Sequence, residues 1–249
     1  MSAYLAEFIG TALLVLFGNG VVANVVLART KGNNAGWIVI TAGWGLAVFI
    51  GAFCSAPYSG AHLNPAVTVA MAIAGKLEVA KVGGYLAAQM LGGIIGAMLV
   101  FFYYHAHFRE TDDQDAKLGC FCTAPNIRSI PQAFFCEAVG TFCLILPIFL
   151  ITDVKFQVPI GAEPKDVIVG LGSLGLVPVA LVVFAIGLSL GGTTGYAINP
   201  ARDLGPRIAH ALLPVPGKRD SDWGYAWVPV FGPLVGAMLA AAVQSLFLK

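Results

Sequence analysis

The tripeptide Asn-Pro-Ala occurs twice, at 64–66 and at 199–201, each time inside an apolar stretch. The surroundings are "SGAHLNPAVTVAM" (59–71) and "TGYAINPARDLGP" (194–206). Hydrophobic residues make up 58% of the 249, charged residues 11%, and mean hydropathy is +0.82. A soluble domain carries about 25% charged residues, so the chain reads as an integral membrane protein. In hydrocarbon every backbone polar group needs a partner, and irregular backbone is tolerated only where protein buries it or it lines a watery cavity. Two breaks with one tripeptide therefore define a cavity. A net charge of +1 gives no sign of a nucleic-acid partner.

A spanning helix takes ~20 mostly apolar residues. Six runs meet that length: 3–27, 36–56, 82–105, 134–152, 167–190 and 225–248. Two further apolar pieces, 64–75 and 199–213, are too short to cross. At 1.5 Å per residue such pieces reach about halfway through a ~30 Å core. The fold class is thus all-α integral membrane, with six transmembrane helices plus two re-entrant half-helices.

The chain also repeats itself. "AEFIGTALLVL" (6–16) matches "CEAVGTFCLIL" (136–146), placing Glu7 over Glu137. This divides a single domain, 1–249, into a first repeat 1–105, a linker loop 106–133 expected in water, and a second repeat 134–249. Three spans per repeat invert one copy relative to the other, and inverted repeats set their shared site near the midplane. Asn64 and Asn199 are strong N-caps, and Pro65 and Pro200 suit the first helical position. Ala66 and Ala201 complete the two turns. The half-helix N-termini then face each other, each carrying about +0.5 charge. The residues before the caps, Gly60, Ala61, His62, Leu63 and Gly195, Tyr196, Ala197, Ile198, are expected extended, with carbonyls lining the pore. His62 suits a carbonyl contributor better than a proton relay. Facing positive half-helix ends are a known means of excluding cations and protons.

Two such turns in inverted three-span repeats, each repeat opened by E-x-x-G-T, resemble the aquaporin (major intrinsic protein) family over nearly the whole chain. The form "NPARD" (199–203) is similar to the aquaglyceroporin, or glycerol facilitator, branch. The resemblance implies a passive channel for glycerol, water and similar small neutral solutes. It also implies a homotetramer in the lipid bilayer, no enzyme activity, no cofactor and no metal. It carries a selectivity filter onto Trp44, Gly187, Tyr196 and Arg202, and makes Glu7, Glu137 and Asp203 supports of the re-entrant loops. Trp44 and Tyr196 also suit core aromatics, and Gly187 also suits a helix-packing glycine. Gly187 is expected to widen the opening. Tyr196 stands where the branch more commonly has Phe, so its hydroxyl is expected to favour smaller or more polar solutes such as urea or lactic acid. A water-, urea- or lactic-acid-preferring aquaporin is the alternative. A secondary transporter would want an ion-coupling acid at the break, whereas Glu7 and Glu137 lie on the first span of each copy.

The resemblance places the protein in a cell membrane with both termini cytoplasmic, and the short termini point to a bacterial inner membrane. Lys and Arg run against that orientation, five inside and eight outside. The segment 153–173 exceeds what the repeat requires and is long enough to cover the cytoplasmic mouth. The five cysteines are too few and scattered for a disulfide scaffold, and Cys120-x-Cys122 lacks a second pair for zinc.

Overall fold

A computed structural model describes residues 1–152, 154–160 and 163–247. Among them six helical segments are long and apolar enough to cross a membrane. Helix α1 (Ala3–Val26) starts at Ser2, whose hydroxyl accepts from Leu5 N. Its last carbonyls have no helical partner and are met by the next loop. Asn34 N donates to Val25 O at 2.9 Å, and the Asn33 amide to Leu27 O at 3.0 Å. Helices α2 (Trp37–Ser59), α3 (Pro65–Ile73) and α4 (Val79–Tyr103) follow. The second half carries α7 (Ile130–Leu150), α8 (Val177–Ser189), α9 (Pro200–Leu212) and α10 (Val228–Phe247). Between the halves stand two short helices, α5 (His105–Glu110) and α6 (Gln114–Gly119).

Packing follows the same plan in both halves. Helix α1 lies against α2 and α4, as α7 lies against α8 and α10. Without a hydrophobic drive between helices in lipid, close approach rests on small residues. On α4, Gly92 and Gly96 supply it: a Cβ at either would stand 2.5 Å from a backbone carbonyl of α1, that of Phe8 or Ala12. On α10, Gly232 and Gly236 face α7 in the same way, a Cβ at Gly232 meeting Glu137 Cβ at 2.8 Å. Each half-helix crosses over, so that α3 packs on α10 and α9 packs on α4.

The all-α class stands, with one addition. Strands β1 (Val154–Ile160) and β2 (Glu163–Val169) pair antiparallel within the extra segment; its residues 153, 161 and 162 lie outside the described residues. The fifth span accordingly begins later than the run from 167. Its β-branched Val167-Ile168-Val169 joins a strand, as such residues prefer. Gly170 then ends the strand, and a 3-10 turn (Gly172–Leu176) that holds Gly172 and Gly175 leads into α8. The linker also departs from expectation. Asp112 and Asp113 are exposed, but Leu118, Cys120, Phe121 and Cys122 are buried. Part of it tucks back into the protein because its apolar residues find a pocket among the helices.

Candidate functional site

The two half-helices meet head to head. Asn64 Oδ1 caps α3 by accepting from Ala66 N at 2.8 Å, and Asn199 Oδ1 caps α9 by accepting from Ala201 N at 3.0 Å. Each asparagine then reaches into the opposite loop. Asn64 Nδ2 donates to Ile198 O at 2.9 Å, and Asn199 Nδ2 donates to Leu63 O at 2.8 Å. A primary amide has two N–H groups, so each keeps one for the lumen. Pro65 and Pro200 occupy the first helical turn, where a missing N–H costs nothing.

The loops before the caps are not extended. Gly60, Ala61 and Leu63 have φ of 81°, 54° and 52°, and Gly195, Tyr196 and Ile198 have 84°, 39° and 42°. The same left-handed pattern recurs because an extended strand would turn successive carbonyls to opposite sides. In each loop two consecutive residues and then the one before the asparagine take left-handed φ instead, and both loops line the smaller cavity. Left-handed φ at a non-glycine residue costs ~1–2 kcal/mol, so something must hold these loops. Two buried glutamates do. Glu7 accepts from His62 N at 2.9 Å and Leu63 N at 2.6 Å, and Glu137 accepts from Ala197 N at 3.0 Å and Ile198 N at 2.8 Å. Ser59 and Gln89 add donors to Glu7, and Thr194 adds one to Glu137. Of the expected lining carbonyls, those of Leu63 and Ile198 each spend a lone pair on the facing asparagine.

Trp44, Tyr196 and Arg202 come together at a constriction. The Arg202 guanidinium carbon lies 3.9 Å from the Trp44 ring centroid, within cation–π range. A cavity of about 140 Å³, lined by His62, Leu63, Asn64 and Val67 among others, lies on the side of the chain termini. One of about 800 Å³, reached by Asp113, Asp115 and Thr123, opens beside the linker. Trp44, Tyr196 and Arg202 line both and form the wall between them. Gly187 stands behind the tyrosine and acts on the opening only by leaving room for that ring. A Cβ at 187 would stand 2.9 Å from Tyr196 Cζ and Oη, so the tyrosine tip already fills the vacated space. The Tyr196 hydroxyl is buried without a hydrogen-bond partner. That hydroxyl therefore faces α8 rather than a passing solute.

Several contributors were not singled out from sequence. Arg202 Nη1 points toward Asn19 Oδ1 and Phe121 O, at 3.4 and 3.5 Å. Gly18 makes room for Trp44, whose ring a Cβ there would strike. Asp203 serves another partner than its neighbour Arg202. It pairs with Arg207 at 2.8 Å, both side chains fully buried, and accepts from Thr123 N and Oγ1 at 2.7 Å each. Arg207 also donates to the carbonyls of Thr123 and Ser221. The pair thereby fastens the linker over α9 and presents the Phe121 carbonyl to the constriction. An intramembrane Asn in "FGNG" and an Asp-x-x-x-Arg spacing in "RDLGPR" were the available signals.

Six spans and two facing half-helices around two cavities that share a wall define a channel-type integral membrane protein. The sequence matches the Major intrinsic protein family over residues 1–244. The chain belongs to that family, whose members are passive channels and not enzymes. It is 51% identical over 245 residues to a probable glycerol uptake facilitator protein of Thermotoga maritima, covering 98% of this chain and 99% of that one. It is 51% identical over 237 residues to glycerol uptake facilitator protein 3 of Lactiplantibacillus plantarum, covering 95% and 93%. The structure superposes on the aquaglyceroporin from Plasmodium falciparum with a TM-score of 0.80 at 31% identity, covering 98% and 95% of the two chains.

Proposed function

We propose that the protein conducts glycerol and similar small neutral solutes, together with water, and excludes ions and protons. The observation that carries this reading is the wall shared by the two cavities, where Trp44, Tyr196 and Arg202 meet. Two aromatic rings offer an apolar face to a carbon backbone, and the guanidinium offers donors to hydroxyls on its other side. The names of the relatives from Thermotoga maritima and Lactiplantibacillus plantarum support glycerol as the solute. Exclusion of charge follows from the facing half-helix ends, from Arg202, and from the asparagine N–H groups that orient water at the midpoint. The chain is read as one channel domain of two inverted repeats, 1–105 and 134–249, assembled as a homotetramer in a bacterial inner membrane. The linker-side mouth faces outward and both termini lie in the cytoplasm.

Stopped-flow light scattering on proteoliposomes tests the reading with water, glycerol, urea and lactic acid. Glycerol flux is expected to be fast, unsaturated at high concentration and indifferent to a proton gradient. Saturation at low concentration, or uphill accumulation driven by protons or sodium, would replace the channel with a transporter.

A further inference from the structure

We infer that Trp37 is a positioning residue for the constriction, pinning the Tyr196 ring against α8 and so holding it out of the lumen. Trp37 begins α2, far in sequence from both partners. Its indole Nε1 donates to the Gly187 carbonyl at 2.9 Å. Its ring meets that of Tyr196 edge to face, with centroids 5.9 Å apart and planes at 78°. Helix α8 ends at Ser189, so Gly187 O is among its last carbonyls, for which the helix itself has no donor. A carbonyl left without a donor away from water is costly, and the indole answers it. The same contact closes a slot. A Cβ on Gly191 would press on Tyr196 Cδ1 and lie 2.9 Å from Trp37 Cζ2, while Gly187 bounds the phenol end. The tyrosine is thus boxed by Gly187 of α8, by Gly191 just beyond its end, and by one indole. The phenol makes no hydrogen bond of its own there, so packing alone keeps the ring in place. Removing the indole opens the box on the side of the wide cavity that Trp37 and Tyr196 both line. The freed ring then enters the passage.

The inference rests on the proposal that Tyr196 lines the filter. Its test compares glycerol and water flux, as a ratio, in proteoliposomes of the full chain, so that a smaller number of folded channels cancels. Trp37→Leu is expected to lower the glycerol-to-water ratio about fivefold or more, within what coupling between touching residues produces. Trp37→Phe keeps an aromatic edge without the N–H and should fall between. In a Tyr196→Leu background, Trp37→Leu should leave the ratio where Tyr196→Leu put it. An unchanged or raised ratio in Trp37→Leu overturns the inference, as does an equal fall in the Tyr196→Leu background. If Tyr196→Leu alone leaves the ratio at the wild-type value, the filter reading itself fails and this inference goes with it.

Discussion

Asn64 and Asn199 each donate to the carbonyl that precedes the other, Nδ2 of Asn64 to Ile198 O at 2.9 Å and Nδ2 of Asn199 to Leu63 O at 2.8 Å. The two caps are therefore one unit. Replacing both by Asp removes the crosswise donors and sets carboxylates against the half-helix ends. The double variant is expected to leak protons above empty liposomes under an imposed potential, read with an entrapped pH dye. A correctly inserted, proton-tight double variant would refute the electrostatic account.

Gly187→His puts a side chain where the tip of Tyr196 lies, since even a Cβ there stands 2.9 Å from Tyr196 Cζ. The ring has to leave its slot for the lumen. Glycerol flux should fall by orders of magnitude, beyond the ~10–200-fold of a methylene-scale misfit, and water flux far less. Unchanged glycerol flux would remove residue 187 from the constriction.

Tyr196→Phe removes a hydroxyl that is buried without a partner. An unmet buried polar group costs ~1–3 kcal/mol, so the melting temperature in detergent should hold or rise. Glycerol and urea fluxes should both stay within a few-fold of wild type, because the hydroxyl faces α8. A selective loss of urea flux would show that the hydroxyl meets solute after all.

Asp203→Asn leaves Arg207 buried without its counter-charge and loosens Thr123. Breaking a buried pair costs ~3–5 kcal/mol, which should show as a large drop in melting temperature. Replacing both partners, Asp203→Asn with Arg207→Met, should recover part of that loss. No drop in the single variant would mean that the linker is fastened by other contacts.

The two asparagine caps and the two buried glutamates are legible because each sits in a local pattern whose physics has few solutions, whereas the grouping of Trp44, Tyr196 and Arg202 comes from the resemblance alone. A proline in an apolar run needs a cavity, and Glu7 needs donors at membrane depth. What escaped reading depends on contacts across the chain. Phe121 looked like part of a water-facing linker, and only its burial beside Asn19 and Arg202 gives its carbonyl a role. The left-handed loops were missed because Ala61, Leu63, Tyr196 and Ile198 are not residues that announce positive φ. Gly187 was read by its own absence of side chain, whereas the neighbour that fills the space decides the width. The charge count, too, depends on contacts that the sequence does not display. Arg29, Arg128, Arg207 and Arg219 pair with Glu110, Asp222, Asp203 and Asp115. Lys117 and Lys218 donate to carbonyls, Lys218 to three that end α9. Cations fixed in such contacts serve the fold, and their number says little about which side they were inserted on.

The exchange of half-helices between the two repeats, with α3 seated on α10 and α9 on α4, has a kinetic consequence. A machine that carries its cargo by rocking one half against the other needs a seam along which the halves can part. Here the seam is stitched at its midpoint by two hydrogen bonds from side-chain amides and straddled on either side by a helix borrowed from the other half. On the proposed function, passage then goes through a standing opening, and discrimination is made by a fixed shape that every molecule meets anew. The rate should follow the solute's own diffusion and partitioning, with a shallow temperature dependence and no cycle to saturate.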